Sequence, residues 1–251
     1  MTIAQSQIYH HDNEAFRSPT MIKQKTQYMA NLELALQLNN KGVAHRRSGD
    51  ERSAIEVLTK SLTMVKTLLS DDAVPSDANQ LPTTSFAFCR PDIFHSTVPL
   101  TSISDDSSFI YSNAITFSPS IMLHCASGQA DHRLLSATII FNLALIHHLR
   151  GSEICLTKAE KMYDMVLQLL LDVPFSSSGT STLLQLAATN NWCLILHRRG
   201  KLDQAKQGLE TLESIIYSLE ETSRFLFQAD EWDCLMGNIL LLIPPSAAPA
   251  A

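Results

Sequence analysis

The sequence predicts a mainly α-helical protein of about seven helices arranged as repeated helix pairs, and three observations predict it. Gly and Pro together supply 18 of the 251 residues, too few for a turn-rich sandwich or barrel. No proline occurs in 20–74, 120–173 or 175–243. An interior proline costs a helix about 3 kcal/mol, so these stretches are where long helices fit. Finally, an Asn precedes a Gly by nine residues three times over, at Asn40 and Gly49, Asn142 and Gly151, and Asn191 and Gly200. With 45% hydrophobic and 18% charged residues, a chain of this length can bury about 70–75% of its unfolded surface.

Taken in order, residues 1–20 combine no basic stretch with an apolar run, so they read as a flexible segment and not as a secretion signal. A single helical domain is predicted over 21–243. Its first pair, about 30–70, contains Asn39, Asn40 and Gly42, a turn at Gly49, and then an apolar stripe of Ile55, Leu58, Leu62, Val65 and Leu69 at helical spacing. The block that follows is different in kind. In 71–120, 28 of 50 residues are Ser, Thr, Asp, Asn or Pro, with six Asp against one Arg. We read 71–130 as an inserted loop. Within it, 85–89 and Phe109 to Phe117 alternate and are rich in aromatic and β-branched residues, predicting a small antiparallel β-hairpin. The loop joining its strands, near 95–107, is expected to be sensitive to proteases. The second pair spans about 134–171 and the third 183–219, with the stripe Leu202, Ala205, Leu209, Leu212 and Ile216. Ala follows the turn glycine by five residues at Ala54 and Ala205, but only at Ala159 in the middle copy, as though three residues were inserted in that turn. A capping helix over 222–243 carries Phe225, Leu226, Trp232, Leu235, Ile239 and Leu242, and 244–251 is a low-complexity, flexible tail.

These repeats resemble the tetratricopeptide repeat (TPR), a helix-turn-helix unit of about 34 residues. The family puts small residues where the two helices of a unit cross most closely, and Gly42 with Ala54, Ala144 with Ala159, and Cys193 with Ala205 match those places. The aromatic that usually stands early in helix A is missing, as is the proline after helix B. The layout, including Phe141-Asn142-Leu143-Ala144, is also similar to that of a set of uncharacterised algal TPR-like proteins. The resemblance implies a right-handed α-α superhelix with a concave groove lined by the first helix of each pair, in which asparagines hold the backbone of an extended peptide. Asn39, Asn40, Asn142, Asn190 and Asn191 are the candidates for that role, with linking neighbouring helices as the alternative. The clamp that binds a chaperone's acidic tail needs lysines where this chain has Asn39, Ala187 and Asn191, so that ligand is not expected.

His45-Arg46-Arg47, His148-Leu149-Arg150 and His197-Arg198-Arg199 are the recurrent charges. Cations at a helix end gain about 0.3–1 kcal/mol from unsatisfied carbonyls; alternatively Arg46, His148, His197 and Arg198 form a basic rim that attracts an acidic peptide. Cys193 and His197 share a helix face, but with no second ligand pair they do not read as a metal site. No catalytic residue, metal or cofactor is predicted, since no phosphate loop, nucleophile elbow or zinc motif is found.

The function expected is therefore a non-catalytic module that binds a protein or peptide. An RNA-binding helical repeat is an alternative, disfavoured by only 19 Lys and Arg and a net charge of −6. An enzyme working through His124, His132 or Cys125 is another. Five cysteines with no CxxC pair suggest a reducing compartment, cytoplasmic or nuclear, and no apolar run is long enough for a membrane span.

Overall fold

The computed structural model describes residues 19–70, 110–117, 129–171, 179–219 and 229–242. Among them are seven helices: α1 (Pro19–Arg47), α2 (Glu51–Ser70), α3 (Gln129–Arg150), α4 (Glu153–Leu170), α5 (Gly179–Arg198), α6 (Leu202–Ser218) and α7 (Ala229–Leu242). Contacts run in sequence order, α1 with α2, α3 with α4, α5 with α6, and then from each pair to the next. The first helices of the pairs also meet, α3 touching both α1 and α5. This is the predicted mainly helical architecture, with the capping helix as α7. Pro19 opens α1, the one helical position where its missing N–H costs nothing. The N-terminal segment before Pro19, the run 85–89, the loop 95–107 and the tail 244–251 lie outside the described residues.

The recurrent glycines do one job. Gly49, Gly151 and Gly200 have φ of 83°, 68° and 72°, the left-handed conformation that ends helices and that a Cβ penalises. At the first and third turns the closing bonds are the same. Asp50 N donates to His45 O at 2.9 Å and Gly49 N to Arg46 O at 3.0 Å, just as Lys201 N donates to Leu196 O and Gly200 N to His197 O, both at 2.9 Å. No residues are inserted in the middle turn, contrary to the reading from Ala159. Ser152 follows Gly151 directly and caps α4, accepting from Cys155 N at 3.3 Å. Leu156 therefore occupies the offset of Ala54 and Ala205, and Ala159 lies almost one turn further on; both are buried. Since a Cβ on Gly200 would meet nothing within 4 Å, Gly200→Ala should cost only the left-handed strain, about 1–2 kcal/mol, read as a lowered urea midpoint. An unchanged midpoint would show that the turn relaxes freely.

Packing inside the pairs is close. A Cβ on Gly42 would stand 2.5 Å from Leu58 Cγ, and one on Gly208 2.4 Å from Cys193 Sγ. The crossing of α5 with α6 thus pairs Cys193 with Gly208, a residue that the repeat alignment did not single out, in addition to Ala205. The helix-B stripes are buried at Leu58, Val65, Ala205, Leu209, Leu212 and Ile216, but Leu69 and Leu202 are exposed and Leu68 is buried instead. From Leu134 to His148 every residue of α3 is buried. Leu135, Ile139, Leu143 and Ile146 pack into a core with α1 and α2, while Leu134, Ala137, Ile140, Phe141 and Ala144 pack into a second core with α4, α5 and α6.

Candidate functional site

The face built by α1, α3 and α5 carries the predicted asparagines, and it brings them onto a single object. Residues 110–117 form an extended segment across that face. Asn40 donates from Nδ2 to Phe117 O at 2.6 Å and accepts Phe117 N–H on Oδ1 at 2.8 Å. Asn142 does the same to Ile115, with 2.8 Å to its carbonyl and 2.9 Å from its N–H, and Asn191 to Tyr111, with 2.9 and 2.8 Å. Each side-chain amide thus mimics the edge of a neighbouring strand. A primary amide has a donor and an acceptor side by side, which is what one residue's C=O and N–H require. The three asparagines occupy equivalent places nine residues before the turn glycines, so the repeat in the sequence becomes a ladder in space.

The remaining asparagines tie this ladder together. Asn39 donates to Ile115 O at 3.1 Å and accepts from Asn142 Nδ2 at 2.9 Å, linking α1 to α3. Asn190 donates to Asn191 at 3.2 Å and accepts from Asn238 of α7 at 2.6 Å. Asn238 was not a candidate in the sequence, because nothing in the α7 stripe distinguishes it from a solvent-facing polar residue. The two uses weighed for the asparagines, holding an extended backbone and linking helices, therefore coexist. Asn39, Asn142, Asn190, Asn191 and Asn238 are all buried at 2% exposure or less, where an unpaired amide would cost about 1–3 kcal/mol.

The other strand of the expected hairpin, 85–89, lies outside the described residues. Of the run Phe109 to Phe117 the structure describes 110–117, in which Ile115 alone is in a β-bridge and three consecutive residues, 113–115, are buried; asparagine side chains of three helices bond its backbone there. Tyr111, Ala114 and Ile115 are buried in the core shared by α3 to α6, and Phe117 in the core of α1, α2 and α3. Tyr111 meets Phe141 edge-on at 6.2 Å between ring centroids. The segment joins the two cores.

The basic residues fare differently. Arg46 is paired with Glu51 at 3.4 Å, and Glu51 also holds Arg150 at 2.6 Å. One carboxylate therefore bridges the first two pairs, and Arg46 is not a free rim charge. Arg199 pairs with Glu160, bonds Thr157 and reaches Glu153 at 2.5 Å, while Lys201 reaches Glu160 at 2.7 Å. His148 is not on a rim at all. It is buried beside Tyr163, whose hydroxyl stands 3.4 Å from His148 Nδ1 and accepts from Asn191 Nδ2 at 3.1 Å. Burial, and then the charge of Arg198, push the His148 pKa down to about 4, so it is neutral. The expectation that His148 supplies positive charge is corrected. His197 and Arg198 are exposed.

Burial also lowers the pKa of His132, which meets the Tyr28 hydroxyl, and of His147, the latter with help from Lys158 and Arg150. His124 and Cys125 lie outside the described residues. Cys193 is buried in the α5/α6 crossing and its thiol is pushed up to about 12, leaving it protonated and poorly nucleophilic. Among the described residues no group of three His, Cys, Asp or Glu side chains is placed to hold a metal ion, and no helix is long and apolar enough to cross a membrane.

The buried histidines predict a pH dependence whose sign is fixed. An unfolded histidine takes up a proton near pH 6.5, whereas folded His148 does so only near 4, so the unfolded chain binds more protons between those values and stability falls as pH drops through that window. His132 and His147 act in the same direction. Urea midpoints should decline from pH 7 to 4.5, and His148→Gln should flatten the decline. A midpoint that rises on acidification would contradict the neutral assignment.

No family model, curated protein or solved structure matches this chain.

Proposed function

We propose that the chain is a non-catalytic interaction module, a TPR-like superhelix inside the cell whose concave helix-A face holds an extended protein segment. One observation carries the reading: Asn40, Asn142 and Asn191, equivalent residues of three helix pairs, each bond both the N–H and the C=O of one residue of an extended chain. That is recognition of a peptide backbone, independent of side-chain identity at the contact. Catalysis finds no comparable support. The buried His148, Tyr163 and Cys193 are all held in their neutral forms.

Affinity capture from the native cell, with mass spectrometry of what co-purifies, tests the reading. A partner should be retained by the unaltered chain and weakened at least severalfold by Asn40→Ala, the least buried of the three ladder positions. Lys60→Glu and Lys206→Glu, on helix-B surfaces exposed to solvent, should leave it unchanged. If the lysine changes remove the partner and Asn40→Ala does not, recognition belongs to the helix-B face and the reading fails.

A further inference from the structure

We infer that residues 110–117 are a resident ligand of the asparagine ladder, and that the partner this face takes in trans is an extended segment with the same side-chain spacing. That spacing is an aromatic, then an aliphatic residue four positions on, then an aromatic two further, running from the third helix pair to the first. The inference rests on the interaction-module reading above and adds the sequence class, the direction and the competition.

Direction follows from the contacts. Tyr111 sits on Asn191 of α5, Ile115 on Asn142 of α3 and Phe117 on Asn40 of α1, so the segment runs opposite to the order of the pairs. Register follows from strand geometry. In an extended chain a residue's N–H and C=O point to the same edge, and the edge alternates with each residue. Positions 111, 115 and 117 have one parity, so all three present their backbone groups to one side, where the three amides stand. A ligand shifted by one residue would turn the wrong edge to the ladder. Proline, lacking the N–H, is excluded at all three positions.

Selectivity follows from burial. Tyr111, Ala114, Ile115 and Phe117 are 2%, 3%, 2% and 6% exposed, while Ser112 and Thr116 are only half-buried. Large apolar groups are thus read at 111, 115 and 117, a small one at 114 and a polar one at Asn113, which is also buried, while 112 and 116 are read least. A segment in the same chain competes at an effective concentration on the order of millimolar for a short tether, so an external segment must match these features to displace it.

The test keeps every residue of the chain. Protease sites are inserted between 104 and 105 and between 121 and 122, and the purified protein is cut at both, leaving the fragment in place. A fluorescent synthetic peptide of residues 107–119 is then added. It should exchange into the cut protein, detected by anisotropy, and bind the uncut protein at least 100-fold more weakly. The same peptide N-methylated at Ile115, or with Tyr, Ile and Phe each moved one position, should bind the cut protein at least 10-fold more weakly. Exchange starts from the filled site, so instability of the empty face does not obscure the result. A fragment that never exchanges, equal binding by cut and uncut protein, or equal binding of the displaced-register peptide would each overturn the inference. A random peptide library separates the two readings. If peptides lacking the spacing bind the cut protein and depend on Asn40, the inference falls and the interaction module stands; if nothing in the library or the matched set binds, both fall.

Discussion

Asn142→Leu should be among the most destabilising single substitutions in the chain, lowering unfolding stability by about 2–6 kcal/mol, because it leaves two buried polar groups without their partner at about 1–3 kcal/mol each. Those groups are the Ile115 N–H and the Asn39 Oδ1, which Asn142 bonds at 2.9 Å each. The Ile115 carbonyl would keep its bond from Asn39. Leucine is close in size and more hydrophobic, so a simple burial argument predicts a gain, and the sign of the effect separates the two accounts. Asn142→Asp should also be harmful, since a carboxylate would face the Ile115 and Asn39 oxygens that the amide now donates to. Urea denaturation followed by circular dichroism is the measurement. A leucine variant as stable as the parent would mean that the ladder contributes nothing to the fold.

Overpacking the α5/α6 crossing should come next. Gly208→Val places a Cβ where Cys193 Sγ now lies at 2.4 Å, and Cys193 is fully buried, so the helices must move apart. Such insertions cost about 1–3 kcal/mol, and more where nothing can yield. Removing the sulfur should relieve the clash: Cys193→Ala combined with Gly208→Val should be more stable than Gly208→Val alone, although Cys193→Ala by itself removes packing and destabilises. That reversal of sign is the signature of direct contact. If the two changes simply add, the crossing is not as close as described.

How far the sequence reaches is clearest in the three Asn-to-Gly repeats. The glycines were readable as turns because few residues other than glycine adopt positive φ comfortably, and each does so here. The asparagines were readable as a set because their spacing to those glycines is constant. Local chemistry and periodicity suffice for both. Leu69 and Leu202 show the limit: both fit the apolar stripe, yet both are exposed while Leu68 is buried, since periodicity proposes a face and only helix packing decides which of its residues are covered. The inserted residues inferred from Ala159 failed for a related reason. An alignment counts offsets, whereas Ser152 starts α4 at once and lets Leu156 fill the crossing position.

The charged residues mark a second limit. His148 and Arg46 occur in matching basic clusters, and nothing in those clusters tells a buried neutral imidazole from a paired guanidinium. That distinction depends on Tyr163 and Glu51, which stand 15 and five residues away in the chain and come into place through helix packing. Charge at a given pH is set by surroundings, above all by desolvation.

What the sequence determined by itself is the helical class, the helix pairs of the described residues with their turns, and the existence of a threefold set of asparagines, because each depends on short-range preferences of the backbone. What only the tertiary structure decided is the object those asparagines hold. Residues 110–117 reveal their extended form through alternation, but an extended strand is incomplete: its N–H and C=O groups need partners that its own sequence cannot supply. The alternation suggested another strand as that partner. At 111, 115 and 117 the fold supplies Asn191, Asn142 and Asn40, from helices that lie far apart in the chain and meet only when the pairs stack.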